Sequence, residues 1–163
     1  MKKFELTNEF ITNMFGTKLF RIRALVEFGD VEAGELGGYV EKESNLGHDD
    51  NAWVYDNAWV YGDAQVSGDA LVCGDARVCG NGDYAYAHGF GSVNRTTTFF
   101  RLKDGGVGVR CGCFYGTLAQ FRDKIRETHG ETKKAQEYLM LADLMELRFE
   151  EDENEVGNRK YVE

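Results

Sequence analysis

Proline is missing from all 163 residues, so every reversal of the chain falls to Gly, Asn or Asp. Long apolar runs are missing too, and none approaches the ~20 residues that cross a bilayer. The start, Met1-Lys-Lys-Phe-Glu-Leu-Thr7, has no apolar centre of the kind a signal peptide carries, and a cytoplasmic location is expected. The four cysteines then read as reduced thiols rather than a disulfide framework. Positive charge is scarce: 19 Lys and Arg stand against 28 Asp and Glu, a net charge of −9. That balance argues against general nucleic-acid or anionic-membrane binding and leaves a basic protein partner, or mimicry of a polyanion, open. Histidine is limited to His48, His88 and His129. No three of them fall together, and neither a metal nor any other cofactor is expected.

What is present is a rhythm. From Asn51 to Gly80 the chain reads Asn51-Ala-Trp-Val-Tyr-Asp, Asn57-Ala-Trp-Val-Tyr-Gly, Asp63-Ala-Gln-Val-Ser-Gly, Asp69-Ala-Leu-Val-Cys-Gly and Asp75-Ala-Arg-Val-Cys-Gly, five contiguous hexads. A fixed-period repeat sets architecture before local propensity does. In a short strand, alternate side chains face opposite ways, so Ala and Val point inward while Trp53 and Tyr55, or Trp59 and Tyr61, point outward. The pattern resembles the hexapeptide repeat of left-handed parallel β-helices, in which three units make one triangular coil. That resemblance implies a short left-handed parallel β-helix, of about three coils on the repeat count; with the segment after it, read below as a β-hairpin plus two helices (α+β), the fold expected is mainly β.

With three hexads to a coil, residues eighteen apart stack. Trp53 and Tyr55 then lie on Leu71 and Cys73, Trp59 and Tyr61 on Arg77 and Cys79, and Gln65 and Ser67 on Asp83 and Ala85. Trp59 over Arg77 suits a cation–π contact. Corner residues pair Asn51 with Asp69, Asn57 with Asp75 and Asp63 with Asn81, an amide against a carboxylate each time, so a turn ladder explains them better than a cation site. Four outward rings together exceed the apolar patch that monomers tolerate, so the chain itself, a symmetry mate or a partner must cover them.

The organisation expected is N-terminal strands over 1–33, the repeat over 34–92, a hairpin and two helices over 93–149, and a solvated acidic tail over 150–163. Val40 and Leu46 are one hexad apart but Leu46 and Val54 are eight residues apart, which places a two-residue bulge at His48-Asp-Asp-Asn51. Degenerate units continue through Tyr84 to Phe90. Asp104-Gly105 predicts a two-residue hairpin turn pairing Leu102 with Val107 and Phe100 with Val109, one apolar face that runs on into Cys111 and Cys113. Thr117-Leu-Ala-Gln120 is a capping box opening a helix that closes near Gly130. A second helix, about Thr132 to Arg148, is apolar enough to be covered on two sides, by the hairpin and by either the prism faces or a second subunit.

Candidate binding residues are the outward Trp53, Tyr55, Trp59, Tyr61 and Arg77, with Phe99, Arg101, Lys103 and Arg110 on the second hairpin face, where cations beside an aromatic could hold a nucleotide phosphate. No catalytic set assembles. Cys111-Gly-Cys113 has the wrong spacing for a structural zinc pair and reads as core.

Arg21-Ile-Arg-Ala-Leu25, Phe28-Gly-Asp-Val31, Leu36-Gly-Gly-Tyr-Val-Glu-Lys-Glu43, the hexads, Arg95-Thr-Thr-Thr-Phe-Phe-Arg101, Cys111-Gly-Cys-Phe114, Gly116-Thr-Leu118, Thr128-His-Gly130 and Glu137-Tyr-Leu139 together resemble a family of phage and prophage hexapeptide-repeat proteins. The resemblance spans nearly the whole chain except the acidic tail. It implies a small phage protein acting in the host cytosol and carries no catalytic residue with it. The leading expectation is a non-enzymatic binding module, an inhibitor of a host defence system working by protein occlusion, polyanion mimicry or nucleotide sequestration. Its expected partners are a host protein or a nucleotide ligand, and a homo-oligomer, a trimer in particular, since parallel prisms often associate so. An acyltransferase-like enzyme using His48 or His88 and a structural virion component are the alternatives.

Overall fold

The computed structural model describes residues 2–150; the tail beyond Glu150, with the acidic run expected there, lies outside the described residues. The fold is mainly β, with two helices and several sheets. The repeats stack in parallel. Strands β4 (Trp53–Val54) and β6 (Leu71–Val72) pair eighteen residues apart, as do β5 (Trp59–Val60) and β7 (Arg77–Val78). Before the predicted bulge the offset is twenty: β3 (Leu36–Val40) pairs Tyr39 with Trp59 and Val40 with Val60, and Leu46 bridges Val66. The two extra residues at 48–51 are thus real, and Lys3 holds them. Its buried ammonium donates to the carbonyls of Asp50 and Ala52 and to the Asp50 carboxylate.

The interior is what the rhythm requires. Ala52, Val54, Ala58, Val60, Ala64, Val66, Ala70, Val72, Ala76 and Val78 are all buried, with Val40 and Leu46 in line. These alanines and β-branched valines form one core, close-packed as a folded core must be. Gly37 and Gly38 let β3 come close to it: a Cβ on either would sit 2.6 Å from a backbone oxygen, Val54 O or Ala58 O. The corners differ from the expected amide–carboxylate pairs. Instead, an acid of one coil accepts the glycine N–H of the next, Asp50 from Gly68 at 2.8 Å and Asp56 from Gly74 at 3.0 Å, each eighteen residues on. Asn57 and Asn81 are occupied otherwise, by Arg21 and by the N–H of Gln65.

The N-terminal strands are not separate from the stack. β1 (Phe4–Thr12) and β2 (Lys18–Ala24) form an antiparallel hairpin that continues β3, giving one sheet in the order β1-β2-β3-β5-β7. Its inner face adds Phe4, Ile22 and Ala24 to the coil core.

The stack ends earlier than the repeat count suggested. After Asn81–Asp83, a single 3-10 turn, β8 (Tyr84–Phe90) leaves the coil and joins β9 (Arg95–Arg101), β10 (Val107–Cys111) and β11 (Phe114–Thr117) in an antiparallel sheet ordered β11-β10-β9-β8. Gln65 and Ser67 therefore do not stack beneath Asp83 and Ala85 as strand neighbours. The hairpin register is one residue away from the expected one: Arg101 pairs with Val107, Phe100 with Gly108 and Phe99 with Val109. The reason lies in the turn. Leu102 donates to Gly106 O, and Gly105 takes φ +89°, so the loop is three residues with a left-handed glycine rather than a two-residue Asp-Gly turn. A one-residue slip exchanges faces. Phe99 now faces the helices and Phe100 the end of the coil stack. There β9 satisfies the last coil: Thr98 Oγ1 accepts from Leu71 N, and Lys103 N donates to Asp75 O. An exposed strand edge is thereby closed.

The helices follow the sequence closely. α1 (Leu118–His129) starts on the Thr117/Gln120 capping box and ends at Gly130, and α2 (Lys133–Phe149) starts on Thr132. Leu118, Phe121 and Ile125 meet Ala135, Tyr138, Ala142, Met145 and Phe149 over Phe99 and Val109. Among the described residues α2 is covered on one side, and the prism faces do not supply the second. Met140, Leu144 and Leu147 of α2 face outward, 70%, 53% and 66% exposed. Among the described residues, no helix is long and apolar enough to cross a membrane.

Candidate functional site

The outer face of the five-stranded sheet gathers the most chemistry. Strand alternation turns Arg21 and Leu19 of β2 away from the coil core, together with Tyr39 of β3, Trp59 of β5 and Arg77 of β7. Pairing puts Arg21 opposite Tyr39, Tyr39 beside Trp59 and Trp59 beside Arg77, a row across four strands. Glu9 of β1 completes it: Arg21 Nε lies 2.6 Å from Glu9 Oε2, and Tyr39 OH donates to the same oxygen at 3.2 Å. The Arg21 guanidinium stacks 4.4 Å from the Tyr39 ring centre, and that of Arg77 lies 3.8 Å from the Trp59 ring centre. The predicted cation–π contact is present. Below this row Ile11, Leu19, Tyr61 and Cys79 pack into a second, apolar row, with Trp59 edge-on to Tyr61 at 6.4 Å.

The electrostatics fix the row in place. The hydrogen bond from Arg21 holds the Glu9 carboxyl below its usual range. Burial pushes the Tyr61 phenol well above its ordinary value, so it stays neutral and acts as an apolar body. Arg21 also donates to Gly37 O at 2.7 Å. The result is a pre-organised row of two rings between two guanidinium groups, in which Tyr39 is buried and Arg21, Trp59 and Arg77 are half-buried.

The nine predicted binding residues separate. Trp59, Tyr61 and Arg77 share this face. Trp53 is covered: it is 0% exposed, edge-on to Phe28 at 5.2 Å and to Phe4 at 6.4 Å. Tyr55 lies beneath the Arg110 guanidinium at 4.5 Å. The supposed basic hairpin face is not a surface, because the slipped register divides it. Phe99 is in the helical core against Phe121. Arg101 is buried, donating to the carbonyls of Gly105 and Phe149, with Asp83 at 3.8 Å. Lys103 is exposed at the turn, and Arg110 is on the opposite side of the sheet from Arg101. Three cations that converge in the sequence pattern thus point three ways.

The remaining candidates have structural surroundings. His48 Nδ1 accepts from Lys3 N at 3.0 Å, and its ring stacks flat on Phe4 at 4.3 Å. His88 bonds Thr96, and His129 stacks on Tyr138. Cys111 is half-buried beside Thr97 and Tyr138, but Cys113 sits exposed in the β10–β11 turn rather than in the core, because the two strands already close at Cys111–Phe114.

Arg21 and Tyr39 were not among the predicted site residues, although the signal was there. The two-residue bulge places Tyr39 in the column of Trp59, and alternation sets Arg21 opposite Ile22. No protein-family model matches the chain, and no curated protein matches it.

Proposed function

We propose that the chain is a non-enzymatic binding module that recognises a protein partner through the outer face of the five-stranded sheet. The observation that carries this reading is the composition of the Arg21–Tyr39–Trp59–Arg77 row. Trp, Tyr and Arg are the residues most enriched at interface hot spots, and here they are fixed in advance, so little ordering entropy is lost on binding. A nucleotide ligand is disfavoured relative to a protein, since the cations meant to hold its phosphate are dispersed. The coil stack serves as the rigid base. We read it as a short left-handed parallel β-helix, supported by the eighteen-residue pairing and the Val/Ala bore.

On the resemblance to phage hexapeptide-repeat proteins, the partner is a host defence protein in the cytosol, occluded by an acidic competitor. Calorimetry against purified nucleic-acid-recognising host effectors, with cyclic nucleotides as a second arm, tests this. Binding of one effector, weakened at least tenfold by Trp59→Ala or Arg77→Glu, supports the reading. Equal binding by the wild type and both variants would remove the site, and heat from the nucleotides alone would replace a protein partner by a small ligand.

A further inference from the structure

We infer that the outward stripe of α2 is a self-complementary interface that pairs two copies of this chain antiparallel. Met140, Leu144 and Leu147 follow one another at four- and three-residue steps, on the side of the helix opposite Tyr138, Ala142, Met145 and Phe149. Nothing among the described residues covers them, and they amount to a patch of roughly a few hundred Å².

The charges beside the stripe identify the occupant. Glu137 and Arg148 are eleven residues apart, about three helical turns, and so lie along the same edge of the stripe. Both are exposed, and neither is in an ion pair with another described residue. A parallel pair would turn the Glu137–Arg148 edge of one helix toward the opposite edge of the other, where Asp143 and Glu146 are already held by Arg122. A two-fold axis between residues 142 and 143 instead brings Glu137 to the partner's Arg148, twice. The same axis interleaves the two rows of apolar side chains, each Leu144 falling between the levels of the partner's Leu144 and the partner's Met140.

The other edge of the stripe agrees. Its acids are already neutralised, with Asp143 and the neighbouring Glu146 held by Arg122 at 2.8 and 3.0 Å. The helix ends fit as well. Lys133 and Lys134 open α2 against the preference of the helix dipole, and Glu150 caps its end just beyond Arg148. Antiparallel pairing draws the basic start of each helix toward the acidic end of the other. The patch is small against a standard interface of about 1,600 Å², so the expected dimer is weak, with Kd roughly micromolar.

Sedimentation equilibrium of the full chain over roughly 1–300 µM is the test. A monomer–dimer equilibrium is expected, abolished by Leu144→Asp. Glu137→Arg and Arg148→Glu should each weaken it at least tenfold, while the double variant returns to within threefold of the wild type. These side chains point to solvent, and circular dichroism should leave the fold unchanged in every variant. A wild-type monomer at all concentrations overturns the inference, leaving the stripe to the tail or a foreign protein. A trimer, a dimer indifferent to Leu144→Asp, or a double variant no better than the singles overturns it equally. None of these outcomes depends on the partner proposed for the sheet face.

Discussion

The hexads 51–56 and 57–62 differ by one residue, yet their tryptophans have opposite surroundings. Trp53 is enclosed by Phe4 and Phe28, brought from the N-terminal strand and the loop before β3. Trp59 is half-buried, set between Tyr39 and the Arg77 side chain with Tyr61 edge-on, and its outer side is left uncovered by the described residues. The cysteines beside them divide likewise, Cys73 buried and Cys79 only partly so, while the tyrosines reverse the order: Tyr61 is buried and Tyr55 half-buried. Local sequence fixes what the hexad does inward, because strand alternation acts within six residues. What happens outward is decided by segments fifty residues away. One face became core, and the other was left with interface chemistry.

That contrast can be broken most forcefully at Trp53. Trp53→Ala should destabilise the protein by about 3–5 kcal/mol, the usual range for emptying a buried aromatic site, read from urea unfolding. Trp53→Phe should cost much less, because the buried indole N–H has no hydrogen-bond partner among the described residues and removing it relieves a desolvation penalty. A pH effect comes next. Burial pushes the Cys73 thiol from its ordinary 9.0 up to about 11. Above pH 9 the unfolded chain releases that proton while the folded chain keeps it, so stability falls as pH rises from 9 through 11, by on the order of 2 kcal/mol. Unfolding midpoints at pH 8 and 10.5 should differ less in Cys73→Ala than in the wild type. Trp59→Ala should cost less than Trp53→Ala, about 2 kcal/mol of stability, since its ring is only half removed from water. Thr117→Ala, which leaves both hexads alone, should cost about 1 kcal/mol through the lost cap of α1.

The regular parts were legible in the sequence for a physical reason: each is fixed by contacts that repeat. The inward Val54, Val60, Val66, Val72 and Val78, the bulge at 48–51 and both helix caps each state their own geometry. The hairpin at 102–106 was misread because Asp-Gly suits a two-residue turn, while the three-residue alternative buries both Phe99 and Phe100, an advantage visible only once helices and coil lie on either side. The site was half legible. Trp59, Tyr61 and Arg77 follow from the columns, but the antiparallel addition of β2, which supplies Arg21, is a long-range pairing that no period announces. The covering of Trp53 is of the same kind.

Acrylamide quenching of two single-tryptophan proteins, Trp53→Phe and Trp59→Phe, tests the difference between the faces most directly. The protein keeping Trp53 should emit to the blue and resist quencher, and the one keeping Trp59 should be quenched readily until a partner binds. Equal quenching of both would contradict the account, since the two hexads would then share one environment and the open face would have no separate existence.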